Sequence, residues 1–378
     1  MALFHIIILF ISIYNSGALS DSDNHPARGI HIKSTTVKIG LLIPKDPAGD
    51  TIGLSAMHGA EMAIRKANTN GGFNGIPFEL IVRSCDGPWG VTSKQVVDFV
   101  YEDKVSGIVS SLDGRNAHLA EQVATKTHIP LISSRATDPT LSQAYVPWFF
   151  RVTPDDRPQA DALAEEIYGK RGFSHLVVLI QDTYDAKMSA KYFLKSAESL
   201  NAPVPRQIDY NPKTDQLDYI LSQLMHKDVE GIILFGETVQ MLMLMTEIEE
   251  KGHHISMFGM QSLLEKSNGS DKYSPEMVVS IPHGWLSESS DSFRNKFKDT
   301  YGYRPGISAA YAYDAVSILV KAIRNAGINQ DEIRESLREL NYPHGVTGPI
   351  AFDEHGNRKG GADIAYFPGG RLTGIREF

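Results

Sequence analysis

Cysteine is almost absent. Cys85 is the sole one, which excludes an internal disulfide and leaves any zinc site to histidine and carboxylate. A single thiol suits a cytosolic chain and an exported one alike, so it does not fix the compartment. Basic residues are in deficit. Against 45 Asp and Glu stand 37 Lys and Arg, for a net charge of -8. This excludes the concentrated positive surface that a nucleic-acid partner requires and favours solubility. Long apolar runs are missing too. Phe4 to Tyr14 is apolar, but spans about 11 residues where a bilayer needs about 20. It fits the core of a signal peptide instead. Ser16, Gly17, Ala18 and Ser20 follow, with Ala18-Leu19-Ser20 in small-x-small form and Asp21 opening a polar stretch. The N-terminal end carries no Lys or Arg, only His5. Residues 1–20 are read as a cleaved signal peptide, the alternative being a buried helix. No cysteine stands near Ser20 to take a lipid anchor. Asp21–Ser34 has no apolar periodicity and reads as a disordered leader, giving way to order at about residue 36.

Catalytic signatures are equally scarce. No Gly-x-Ser-x-Gly elbow is present, against an α/β-hydrolase. Neither a Gly-x-x-x-x-Gly-Lys-Ser/Thr loop nor a Gly-x-Gly-x-x-Gly after the first strand appears, against nucleotide binding. His253-His254 has no acid at ligand spacing and reads as a solvated pair rather than a metal site. Asp155-Asp156 reads as a helix cap rather than an acid/base pair. Asn268-Gly269-Ser270 has the glycosylation pattern, which means little if the source is bacterial. The expectation is a protein that is no enzyme and takes no cofactor and no metal.

What is present is length and alternation. The 378 residues, 42% of them hydrophobic, suit two domains at roughly 100–200 residues each. Val37–Ile43 reads as a buried strand. Met57–Asn68 reads as a helix with Ala60, Met62, Ala63, Ile64 and Ala67 on its apolar stripe, broken by Asn70-Gly71-Gly72. Strands follow at Phe78–Val82, Val105–Ser110, Pro130–Ser133, Leu176–Ile180 and Gly231–Phe235. Helices fall at Ser93–Tyr101, Asn116–Thr127, Lys187–Leu200 and Val239–Lys251. Short apolar strands alternating with helices call for doubly wound parallel sheets covered on both faces. Two such runs appear, split near Phe150-Arg151-Val152-Thr153-Pro154. The halves share an architecture, with no repeat in the letters.

Several segments then carry a resemblance. They are Val37-Lys38-Ile39-Gly40, Gly59 to Ile64, Asn68 through Gly71-Gly72-Phe73-Asn74-Gly75 to Asp86, Ile129 to Thr137, Phe150 to Asp156, and Gly348-Pro349-Ile350-Ala351-Phe352-Asp353 with Gly356. In this order and spacing, from about Val37 nearly to the C-terminus, the chain resembles the type I periplasmic solute-binding proteins, related to the leucine/isoleucine/valine-binding proteins of ABC importers. The resemblance implies an α/β fold of two doubly wound lobes joined by a three-segment hinge, with crossings near Val152, Ile281 and Asn341. Lobe 1 would be 36–152 plus 281–341, and lobe 2 would be 153–280 plus 342–378. It implies a periplasmic protein, likewise a monomer, that closes around a small ligand and delivers it to the membrane permease of an ABC importer. Reporting ligand state to a chemoreceptor or sensor kinase, and a lobe pair kept only as an interaction surface, remain open.

Ligands of such sheets sit beyond the carboxyl ends of the strands, among helix N-termini. In amino-acid-binding relatives a hydroxyl after the third strand and a threonine after the fourth hold the ligand carboxylate. Here Thr137 matches, in Ser134-Arg135-Ala136-Thr137. Gly114 replaces the serine in Asp113-Gly114-Arg115, where backbone N–H groups remain as substitutes. Tyr184 matches a stacking tyrosine. Glu237 stands where another tyrosine is common, and Gln261 where an acid pairs with the ligand ammonium. Without that acid, and with Arg115 and Arg135 beside the site as bidentate carboxylate grips, a carboxylate ligand lacking an amine is one reading. An amino acid with Glu237 on its ammonium is the other. Trp89 and Trp285 would wall the cleft or pack their own loops. Arg115 and Arg135 alternatively serve as rim charges. Met241, Met243 and Met245 are expected in helix core, and Cys85 buried and inert.

Overall fold

The computed structural model describes residues 35–45, 51–88, 90–215, 217–224, 228–252, 255–265 and 277–367. The signal-peptide and leader readings, Trp89, His253-His254 and Asn268 lie outside them.

Two sheets carry the fold. The first takes β1 (Val37–Ile43), β2 (Phe78–Ser84), β3 (Ile108–Ser110), β4 (Leu131–Ser133) and β5 (Phe149–Arg151), all parallel, in the order β2-β1-β3-β4-β5. Between them run α1 (Thr51–Thr69), α2 (Val91–Asp98) and α3 (Gly114–Thr127). β1 shows why both faces must be covered. Ile39, Leu41 and Ile43 pack with α1, while Leu42 turns to the opposite layer of Val96, Phe99 and Ala117. Parallel strands buried on both faces read as unbroken apolar runs.

The chain then enters the second sheet. Here α4 (Asp156–Ala164), β6 (Leu176–Gln181), α5 (Tyr184–Ser199), β7 (Arg206–Tyr210), α6 (Leu217–Leu224), β8 (Gly231–Phe235), α7 (Thr238–Glu250), β9 (Ser256–Gly259) and β10 (Met277–Pro282) follow in turn. Next come α8 (Glu288–Tyr301), α9 (Ile307–Ala326), α10 (Gln330–Arg338), the short pair β11 (Asn341–Tyr342) and β12 (Ile350–Ala351), and β13 (Ala362–Phe367). The second sheet is ordered β13-β10-β9-β8-β6-β7, with β13 antiparallel at one edge. Without that edge strand both sheets have the same winding: second strand, first, third, fourth, fifth. The repeat is one of topology, which the letters do not show.

After β10 the chain returns to the first sheet, where α9 packs on α1. The segments that pass between sheets lie against one another. Arg358 donates to the Val152 carbonyl at 2.9 Å and to the Thr347 carbonyl at 2.7 Å. Gly348, at φ +97°, lies so near that a Cβ would stand 2.0 Å from the His283 carbonyl oxygen. Arg151, fully buried, donates to the Asp138 carbonyl at 2.7 Å and to Asn357. Hydrogen bonds thus tie the first and third passages between sheets, and the second lies in close contact with the third at Gly348.

Several boundaries differ from expectation. α1 begins at Thr51 rather than Met57, its first turns being built from small residues, Gly53, Ser55 and Ala56, that give no apolar stripe. β3 begins at Ile108, because Val105 and Ser106 bond back to Phe99 and Lys38 rather than into a full ladder. α5 begins at Tyr184 rather than Lys187, capped by the Thr183 hydroxyl. Met243 is a correction: it is 46% exposed, on the outer face of α7, whereas Met241 and Met245 are core.

Candidate functional site

In a doubly wound sheet, the crevice forms beyond the strand ends where the winding reverses. Both sheets direct those ends toward a single cavity of ≈ 740 Å³. Its lining comes from the loops after β1 (Pro44, Lys45), β3 (Asp113), β4 (Ser134, Arg135, Thr137), β6 (Asp182 to Ala186), β8 (Gly236, Glu237) and β9 (Gln261, Glu265). α4 and α9 add Asp156, Ser308 and Tyr311.

The expected residues fare unequally. Asp113, Arg115, Arg135, Thr137, Tyr184, Glu237 and Gln261 all line the cavity. Asp113 caps α3, accepting from the Asn116 amide at 2.8 Å. The Arg115 guanidinium lies over the Tyr184 ring at 5.6 Å. Arg135 is half-buried and makes no hydrogen bond or ion pair with any described residue, so its donors are free to grip an anion. Glu237 stands exposed at the mouth, its backbone amide donating to Gln181 Oε1. Gln261 is buried with both ends used: Nε2 donates to Thr153 Oγ1 at 2.8 Å, and Oε1 accepts from Tyr311 Oη at 2.6 Å.

Two expectations are corrected. Ala136 is fully buried in the layer behind the site and does not line it, because the β4 loop turns successive side chains to opposite sides. The Gly114 amide, expected to serve a ligand, already donates to Asp185 Oδ1 at 2.9 Å. Trp285 packs in the core under Arg294 and away from the cavity. Cys85 is buried, and desolvation pushes its thiol up to about 11, which leaves it a neutral thiol.

Three carboxylates were not anticipated as site groups: Asp156, Asp185 and Glu265. Asp155 takes the capping role for α4, accepting from the Arg157 amide at 2.9 Å. That leaves Asp156, 1% exposed, to face the cavity. Its Oδ1 accepts from Ser189 Oγ at 3.0 Å, and its Oδ2 has no partner among the described residues. Burial raises its carboxyl well above the ordinary range, with the Thr137 and Ser189 hydroxyls opposing. Glu265 accepts from the Ser308 amide at 2.9 Å, while its Oε1 has no partner among the described residues. Burial pushes it up to about 7. Asp185 is also raised by burial, against the opposing pull of Arg135. Burial favours the neutral acid in such groups until something positive meets them and draws out the charge. The signal that could have found Asp156 is the tandem Asp155-Asp156, one acid more than a cap uses.

Tyr184 crosses from the second sheet to the first. Its hydroxyl donates to Asp138 Oδ2 at 2.6 Å. Burial opposes the Asp138 charge, but hydrogen bonds from His118, Tyr184 and Thr140 outweigh it and hold the carboxyl below the ordinary range. The same contact, with Glu121, pushes His118 up to about 9. Among the described residues there is no cluster of His, Cys, Asp and Glu suited to a metal, and no helix long and apolar enough to cross a membrane.

Comparison with known proteins gives a consistent picture. Residues 36–366 match the family model described as periplasmic binding protein. The leucine-, isoleucine-, valine-, threonine-, and alanine-binding protein of Pseudomonas aeruginosa is 23% identical over 334 residues, covering 86% of this chain and 87% of that one. Among solved structures, a leucine binding protein, LivK, of Thermotoga maritima superposes with a TM-score of 0.77 at 17% identity, over 89% of this chain and 97% of that one. LivJ of Streptococcus pneumoniae, a branched-chain amino acid transporter substrate binding protein in complex with isoleucine, superposes with a TM-score of 0.76 at 22% identity, over 89% and 97%.

Proposed function

The chain belongs to the periplasmic binding protein family, with its type I α/β fold, and on that premise we propose that it captures a small amine- and carboxylate-bearing molecule in the cleft and delivers it to the permease of an ABC importer. The observation that carries the ligand class is the company Arg135 keeps. The cleft interior sets this one unpaired guanidinium among Asp156, Asp185 and Glu265, two of which have an oxygen without a partner among the described residues. Arg135 and Thr137 suit a carboxylate. The orphaned carboxyl oxygens suit an ammonium: a buried acceptor left without a partner costs about 1–3 kcal/mol, and a cation draws out the charge that burial suppresses.

The acidic lining therefore favours an amino acid over a carboxylate ligand without an amine. It moves the ammonium partner from exposed Glu237 to buried Asp156. Capture needs no chemistry on the ligand. Contacts from both sheets favour the closed arrangement, and that arrangement is what a membrane partner would recognise. In this reading the chain is exported to the periplasm with a signal peptide ending near Ser20, and its lobes are 36–152 plus 281–341 and 153–280 plus 342–378. Reporting to a chemoreceptor or sensor kinase would use the same cleft.

A thermal-shift screen of the purified protein tests the reading. A ligand at 100 times its dissociation constant adds about 2.7 kcal/mol of stability. Amino acids should raise the melting temperature, and their amine-free 2-oxo acid counterparts should not. The reverse order would overturn the ligand class.

A further inference from the structure

We propose that Asp185 is a built-in anion occupying the start of α3, and that the cleft in consequence selects a basic amino acid, one bearing a second positive group. This rests on the amino-acid reading given above and narrows it.

The first amides of a helix point outward unpaired and attract negative charge. In α3 two of them are taken by carboxylates of this chain. Asp113 accepts from Asn116, and Asp185, from the first turn of α5, accepts from Gly114 at 2.9 Å. The glycine and the aspartate belong together. A Cβ at position 114 would stand 2.9 Å from Asp185 Oδ1, 3.0 Å from Tyr184 Cε1 and 3.2 Å from Asp138 Cβ. A serine, the residue expected there, has no room while Asp185 is in place. The internal carboxylate and the missing side chain thus replace an external anion at this helix end.

The consequence is one of charge. With α3 served from within, the ligand carboxylate is left with Arg135 and Thr137 in the interior and exposed Arg115 beyond them. Asp156 Oδ2 and Glu265 Oε1, both in buried residues, remain without partners among the described residues. A ligand with one ammonium satisfies one of them. A ligand with a second cation satisfies both, and brings the interior nearer neutrality.

Calorimetric titration of the purified protein with L-lysine, L-arginine, L-leucine and L-glutamate decides. The unaltered protein should bind a basic amino acid at least about tenfold more tightly than leucine or glutamate, the span of one unsatisfied charge in a buried site. Asp185→Gly, which frees the α3 amide, should gain affinity for leucine and glutamate relative to lysine. Asp185→Asn, which keeps the acceptor and shape, should narrow the preference without loss of fold, checked by its melting curve. Tighter binding of leucine or glutamate by the unaltered protein overturns the inference and leaves the amino-acid reading standing. A basic preference untouched in both variants overturns the role of Asp185. Binding of none of the amino acids overturns the amino-acid reading itself.

Discussion

Tyr184 and Asp138 meet across the cleft: a hydroxyl that opens α5 of the second sheet donates, at 2.6 Å, to a carboxylate that follows β4 of the first. Asp138 is also held by His118 and Thr140, so it stays satisfied without the tyrosine. The bond's role is to favour the approach of the two sheets. Tyr184→Phe should therefore weaken ligand binding about three- to tenfold, the worth of one net hydrogen bond. The melting temperature without ligand should hardly move. Titration calorimetry and a melting curve of the same variant check both.

Asp156 is held for a ligand at a cost to the empty protein. Asp156→Asn keeps the Ser189 contact and removes the carboxylate that a bound cation would draw out. Affinity should fall about 100-fold, within the 2–5 kcal/mol lost when a buried charge partner is removed. Stability without ligand should be equal or higher, as at other sites shaped for function rather than stability. A variant that loses stability and keeps affinity would assign Asp156 a purely structural role.

The pH dependence follows from Glu265. Its carboxyl is raised from 4.5 to about 7 by burial, so between these values the folded state holds a proton that the unfolded state has lost. The contribution of this group to stability without ligand is full below pH 4.5 and is lost as pH rises through about 7, a change on the order of 3 kcal/mol. A cation at Glu265 favours its ionised form, so binding near pH 6 should release protons. Calorimetry in buffers of different ionisation enthalpy measures that release. Glu265→Gln should reduce it, leaving the share from Asp156, and flatten the stability slope between pH 4.5 and 7.

Asp314 provides a contrast away from the cleft. Fully buried in α9, it accepts from the Val346 amide at 2.9 Å, the Thr347 amide at 2.8 Å and the Thr347 hydroxyl at 2.6 Å. Asp314→Ala strands two buried amides and should cost about 3 kcal/mol or more. Thermal unfolding should register this, while the order of ligand preference stays unchanged.

The alternation of elements was legible because parallel strands such as β1 and β8 are buried on both faces and leave short, mostly apolar runs. The start of α1 was less so, since Gly53, Ser55 and Ala56 carry no apolar stripe. Thr137 and Tyr184 were named from the resemblance and Arg135 from its place beside Thr137, and all three line the cavity. Asp185 and Glu265 could not be found in this way, because what singles them out is burial, and a buried acid looks the same in sequence as a solvated one. Gly114 showed as a departure, but its reason is a side chain 71 residues away.

The most direct test of ligand capture is titration calorimetry of the protein and of Asp156→Asn and Arg135→Ala with a panel of amino acids and their 2-oxo acid counterparts. The account predicts one-to-one binding of an amino acid, with none of the 2-oxo acid, and affinity lower by about 100-fold or more in both variants. Binding of the 2-oxo acids alone, or binding of an amino acid unchanged in both variants, would contradict it.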